Sequence, residues 1–172
     1  MMLLPRLARP ALLAVLAAGA PVAGAAHPHI FIQTALTLVI DETGHATGVE
    51  VRWAYDELYT MLTFEDLRLD SDYDGELTAE ELQFLDGFDL NWIEGFEGDL
   101  YLTAGEVPVR LGAPEGRGVK VHNGQIVTTH FRPLAEPVTA EGLVLRAYDP
   151  TFYTAYDLSG GVTVTGGCAA QV

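Results

Sequence analysis

Between Asp70 and Glu81 the chain reads Asp-Ser-Asp-Tyr-Asp-Gly-Glu-Leu-Thr-Ala-Glu-Glu. Counted from Asp70, carboxylates fall at positions 1, 3, 5 and 12 and a glycine at position 6, the spacing of an EF-hand calcium loop. A hard cation of this size takes about six to eight oxygens, and alternate residues of a tight loop turn theirs inward. On that pattern Asp70, Asp72 and Asp74 supply side-chain oxygens and Glu76 its backbone carbonyl. Thr78 sits where a ligand often acts through water, and Glu81 closes the site with both carboxylate oxygens. Gly75 occupies the sharp turn, in a conformation that penalises any side chain. Leu77, at position 8, points away from the ion. The expected cofactor is calcium. An acidic surface loop without an ion shares the carboxylates, but not the combination of glycine, apolar position 8 and closing glutamate.

The flanks must position this loop. Leu58, Met61, Leu62 and Leu69 fall near helical spacing before it, with Asp56 as N-cap. Leu82, Leu85 and Phe88 continue an apolar stripe after it. The expectation is a helix-loop-helix over about residues 56–96, with the metal in its elbow. Asp86-Gly87-Phe88-Asp89-Leu90-Asn91 offers further oxygens without the loop spacing and reads as a helix end and connection.

Elsewhere the pattern is that of strands. Ile30, Ile32, Leu36, Leu38 and Ile40 share one face of an alternating run, and residues 49–53 alternate again after a turn at residues 41–44. Further strand signals lie at residues 100–103, 107–111, 119–122, 125–132, 143–148 and 162–165, and Asn123-Gly124 is a two-residue hairpin turn. Short strands with no helices between them predict an α+β fold: an antiparallel β-sheet or small β-sandwich carrying the inserted EF-hand-like helix-loop-helix.

Residues 1–26 read as a secretory signal peptide. Arg6 and Arg9 precede an apolar run too short to span a bilayer, and Ala23-Gly24-Ala25-Ala26 is a small-residue cleavage region. Residues 27–172 then form a single exported, periplasmic domain with no membrane span. Removing two arginines leaves 7 basic against 24 acidic residues, a net charge of −17. Such a surface repels nucleic acid and anionic lipid and attracts cations. The single Cys168 can form no intrachain disulfide and reads as a tail residue. Calcium then supplies the cross-linking that disulfides give other exported domains.

Two of the five histidines, His27 and His29, sit at the cleavage point. Cutting after Ala26 makes His27 the first residue, able to chelate copper, zinc or nickel through its amine and ring. Cutting after Ala25 places Ala26 first. Pro28 lacks the amide hydrogen that must be lost for consecutive backbone nitrogens to ligate, which disfavours that mode through His29. His130 is the candidate long-range partner. A two-residue turn at 123–124 sets His122 opposite Gln125 and His130 opposite Arg117, and puts the two histidines on opposite faces. His45 reads as a solvated turn residue. An exposed polar terminus without metal is the competing reading.

Ser71 and Ser159 lack a nucleophile-elbow context, and no His-Glu-x-x-His or phosphate-binding glycine loop occurs. No catalytic residue is nominated, and an enzyme is not expected. Tyr148-Asp149-Pro150-Thr151-Phe152-Tyr153 is dense in aromatics, suited to packing over a sheet edge or to a recognition surface.

His27-Pro28-His29-Ile30-Phe31, the central Asp-x-Asp-x-Asp-Gly loop and the late Tyr-Asp-Pro-Thr-Phe-Tyr segment occur in that order. Together they resemble an uncharacterised bacterial family of periplasmic proteins labelled as ABC-type transport-system components, a domain of unknown function. Members are often encoded beside nickel/cobalt exporter-type membrane proteins. The resemblance implies a periplasmic role in metal handling, with an inner-membrane metal transporter as partner. The chain is far too short for a two-lobed solute-binding protein.

Three functions follow as expectations. The first is a calcium-binding accessory protein of transition-metal (nickel, cobalt, zinc or copper) transport or homeostasis. The second is a calcium-stabilised interaction module that docks a membrane transporter without binding transition metal. The third, more remote, is a copper-dependent oxidoreductase using the terminal histidine.

Overall fold

The computed structural model describes residues 29–167. The expected signal peptide, His27 and Cys168 lie outside the described residues. Strand β1 (Ile30–Ile40) buries Ile32, Thr34, Leu36 and Leu38, as its alternation requires, and pairs antiparallel with β2 (His45–Tyr55). The turn between them is organised by Asp41. Its carboxylate accepts from the Thr43 and His45 amides, at 2.8 and 2.9 Å, and from the Thr43 hydroxyl at 2.7 Å.

After β2 come helix α1 (Glu57–Leu67), the acidic loop and the short helix α2 (Ala79–Leu85). Strands then resume as β3 (Leu100–Ala104), β4 (Val107–Val109), β5 (Glu115–His122), β6 (Gln125–Thr139), β7 (Leu143–Ala147), β8 (Thr154–Asp157) and β9 (Val162–Thr165). The larger sheet has the order β5-β6-β2-β1-β8, with β9 also on β1, and the smaller has the order β4-β3-β7. Leu36, Val49, Val51, Trp53 and Ile126 of the large sheet share one core with Leu100 and Leu102 of β3.

The fold differs from the expected class. Strands hold 48% of the described residues and helices 15%, so this is a β-rich two-sheet fold and not an α+β fold built on an EF-hand unit. The physical reason lies in what the helices bury. Among α1 residues only Thr60, Thr63 and Phe64 are buried, and in α2 only Leu85. Each helix rests chiefly on the sheet, α1 on β6 and α2 on β5. The helices are appendages of the sheet.

Nor is the large sheet purely antiparallel. β8 and β9 run parallel to β1 along its outer edge, β8 beside Ile30 to Gln33 and β9 beside Leu36 to Val39. A 3₁₀ turn at Leu158–Gly160 joins them, and the Leu36 amide donates to the Gly161 carbonyl across the break.

The Asn123-Gly124 turn forms with both residues at positive φ, 52° and 72°, the backbone that matches strand twist. His122 pairs with Gln125 as the spacing predicts. Farther along, a bulge at Gly118 (φ 112°) absorbs one residue. His130 therefore lies opposite Gly116 and not Arg117.

Candidate metal centre

The loop's local geometry begins with its two helix ends. Asp56 caps α1 by accepting from the Tyr59 amide at 2.8 Å, and its other oxygen accepts from the Phe31 amide at 2.8 Å, tying the helix start to β1. α1 stops at Arg68, whose left-handed backbone (φ 56°) lets its amide reach the Glu65 and Phe64 carbonyls. Leu69 is buried, so the acidic loop departs from a fixed point.

Within the loop the carboxylates also order the backbone. Asp70 accepts from the Asp74 amide at 3.0 Å and the Gly75 amide at 3.2 Å, and Asp74 from the Glu76 amide at 2.8 Å. Asp70, Tyr73 and Gly75 all hold positive φ, and only the glycine does so without steric cost. The far end is a capping box. Thr78 accepts from the Glu81 amide, while the Glu81 carboxylate accepts from the Thr78 amide at 2.9 Å and the Thr78 hydroxyl at 2.7 Å. The other Glu81 oxygen accepts from the Asp70 amide at 3.0 Å, closing the loop on itself. These bonds, led by the one from the Thr78 amide, hold the Glu81 carboxyl below its usual range.

Asp70, Asp72 and Asp74 offer carboxylate oxygens that all lie within 4.8 Å of one another. Calcium–oxygen bonds of about 2.3–2.6 Å put two ligands of one ion no more than about 5 Å apart, so the three fit a common cation. Glu81, the expected closing ligand, does not join that group: its carboxylate is turned to the Asp70 and Thr78 amides and the Thr78 hydroxyl. Glu76 and Thr78 stand between them in the chain, Thr78 as the α2 cap. The three clustered aspartates are hard oxygen donors, the type that calcium takes.

The histidines are placed differently. His29 is exposed at the foot of β1, where its amide donates to the Tyr153 carbonyl at 2.8 Å and its ring packs on the Tyr153 ring at 4.9 Å between centroids. His130 is 1% exposed, wedged edge-on between Trp53 (4.6 Å) and Trp92 (5.9 Å). Its Nδ1 has no hydrogen-bond partner. Burial first, and then the Arg132 charge, push its pKa down to about 4, so the ring is neutral near pH 7. Among the described residues the three aspartates form the one group of three or more candidate ligands, and neither His29 nor His130 joins it.

Sequence reasoning missed a second polar centre, on the inward face of the large sheet. Asp89, read from the sequence as part of a connection, accepts from the Tyr55 hydroxyl at 2.9 Å and the Thr128 hydroxyl at 2.7 Å. Burial raises its pKa against those two bonds. Nearby, the Arg132 side chain donates to the Gly112 carbonyl (2.8 Å) and the Glu97 carbonyl (2.6 Å), and its guanidinium lies 4.6 Å over Trp92. Tyr156 donates to Asp99 at 3.0 Å. The available signal was the parity of β6, which puts Thr128, His130 and Arg132 on the inward face with Ile126.

The late aromatic segment is built around Asp149. One of its oxygens accepts from the Thr151 amide and hydroxyl, both at 2.7 Å, and the other from the Tyr153 and Thr154 amides, both at 2.9 Å. Phe152 is thereby held exposed at φ 61°.

No helix among the described residues is long and apolar enough to cross a membrane. No curated protein matches the chain. Residues 12–172 match the family described as "Protein of unknown function (DUF1007)", and the chain belongs to that family.

Proposed function

We propose that this protein is an exported calcium-binding accessory domain, and that calcium sits at Asp70, Asp72, Asp74 and Glu81, with the Glu76 carbonyl and Thr78 completing the shell. The observation that carries the reading is the approach of the three aspartate carboxylates to within 4.8 Å on a loop with calcium-loop spacing. Three like charges that close repel one another, and a divalent cation turns the repulsion into attraction. The same ion offsets the strain of Asp70 and Tyr73 at positive φ. Weak affinity, about 10⁻⁴–10⁻³ M, suffices for an extracellular module, so the ion acts as a structural cross-link and not as a switch. Calorimetric titration with calcium tests this: one site in the native protein, and affinity reduced at least about tenfold in Asp72→Asn.

The biological role proposed for the domain is service to transition-metal transport or homeostasis at an inner-membrane transporter. Its support is the family resemblance together with His27 and His29 at the start of the mature chain. Copper, zinc or nickel bound there is lost in the double variant His27→Ala/His29→Ala, and in-cell metal tolerance falls with it. Unchanged binding and tolerance exclude the role. A second reading, an interaction module without transition metal, is favoured by the apolar side chains that α1 turns to solvent.

A further inference from the structure

Helix α1 turns Phe64 inward but leaves most of its aliphatic side chains outward. Thr60 and Thr63 face inward, the Thr60 hydroxyl accepting from the Ile126 amide of β6 at 3.0 Å and Thr63 donating to the Tyr59 carbonyl at 2.8 Å. Leu58 (59% exposed), Met61 (57%) and Leu62 (47%), spaced i, i+3, i+4, stand together in solvent. A helix that hydrogen-bonds the sheet through Thr60 while exposing its leucines leaves an apolar stripe without a partner among the described residues.

The stripe continues onto the acidic loop. Met61, Phe64 and Leu69 line a groove of about 430 Å³ with Tyr73, which is 90% exposed. A second groove of about 490 Å³ runs between Leu67 and Phe84, which is 73% exposed. Arg68, Leu69 and Ser71 line both, so the two form one continuous surface. Its charge is one-sided. Residues 56–86 carry eleven carboxylates against a single Arg68, and Glu65, Asp72 and Glu80 are groove walls.

We propose that this face binds a basic amphipathic helix of another polypeptide. Apolar side chains at i and i+3 or i+4 enter the two grooves, and Lys or Arg on the flanks meets the rim carboxylates. The apolar stripe supplies affinity and the carboxylates select sign and speed encounter. A second copy of this chain is the poorer occupant, because its own rim carries the same excess of negative charge. The inference deepens the calcium reading, since Asp70 and Ser71 form part of the groove wall and the ion fixes the loop that carries them.

The test is fluorescence anisotropy of a labelled synthetic peptide of leucine and lysine at helical spacing, titrated with the purified protein in calcium. A peptide of the same composition with alternating spacing and one with glutamate for lysine serve as controls. The helical Leu/Lys peptide binds, the controls bind at least about tenfold more weakly, and Leu58→Ser/Met61→Ser weakens binding at least about tenfold. Phe152→Ser, on the Asp149 loop, leaves it unchanged. Equal binding of both Leu/Lys peptides, or indifference to Leu58→Ser/Met61→Ser, overturns the proposal in favour of plain charge adhesion. Dimerisation abolished by the same double variant overturns it in favour of a second copy. Calcium titrated alone separates the two claims. Calcium bound without peptide binding sinks the docking surface only, and peptide binding without calcium sinks the calcium site only.

Discussion

His130 shows how one side chain couples the interior to pH. The ring is enclosed by Trp53 and Trp92, with Arg132 on the same strand and Asp89 and Glu97 as the carboxylates bonded to the surrounding network. An unfolded histidine titrates near 6.5, and here burial pushes the value down to about 4. Between those values the unfolded chain binds more protons than the folded one, so stability is fully present above about pH 6.5 and declines as pH falls toward 4. The loss attributable to His130 is at most about 3 kcal/mol. Asp89, whose pKa burial raises, contributes with the opposite sign at the acid end. Thermal melts between pH 7 and 4 should therefore show a fall in Tm that shrinks in His130→Phe. A slope identical in the variant places the sensitivity elsewhere. At Asp89 the expected effects divide by chemistry. Asp89→Ala leaves the buried Tyr55 and Thr128 hydroxyls without their acceptor and costs about 2–4 kcal/mol by denaturant titration, whereas Asp89→Asn keeps an acceptor and costs less.

Helix α2 is seven residues long with one buried side chain, too short to persist on propensity alone. Its cap carries much of its stability. Thr78→Ala removes the acceptor for the Glu81 amide and the donor to the Glu81 carboxylate, for a loss of about 1 kcal/mol in a guanidinium melt. Thr78→Ser restores most of it, and equal loss in both means the capping box is not what holds the helix. At this scale the sequence was readable where local chemistry decides. Asp56 caps α1, Asn123-Gly124 turns β5 into β6, and the alternation of β1 names its buried residues. It was not readable where distant partners decide. Thr154 to Asp157 is short and lacks an apolar alternation, and it becomes β8 only because β1 offers a free edge alongside. The bulge at Gly118 shifts His130 by one residue, which no count from the turn reveals. α1 has leucines at helical spacing, so inward packing was the natural reading. β6 instead needs a hydroxyl for the Ile126 amide, and Thr60 provides it.

As a whole the molecule is a β-rich frame that holds two kinds of polar centre apart. The interior centre is packed: Asp89 is bonded to Tyr55 and Thr128, Arg132 to the Gly112 and Glu97 carbonyls, and His130 is held by ring contacts with Trp53 and Trp92. The exterior one, at a half-buried Asp70 and exposed Asp72 and Asp74, carries like charges together. With 24 carboxylates against 9 basic residues, the chain sets few cations against that cluster: Arg68 precedes it in sequence and Lys120 of β5 shares a cavity with Asp74 and Glu76. The loop's spacing was legible in the sequence, and so were its closing glutamate and its glycine. Its setting was not, because the helices around it are attached to a sheet rather than packed as a unit. Calcium bound only by the folded chain adds stability by mass action, about 1.5–3 kcal/mol at ten to a hundred times the dissociation constant. The measurement that tests this most directly is a thermal melt of the purified protein across a calcium series, with magnesium as the comparison and Asp72→Asn/Asp74→Asn as the control variant. Calcium binding at the loop predicts a Tm that climbs with calcium by about 4–10 °C, less with magnesium, and not at all in the variant. A Tm indifferent to calcium in the native chain, or one that climbs equally in the variant, contradicts it.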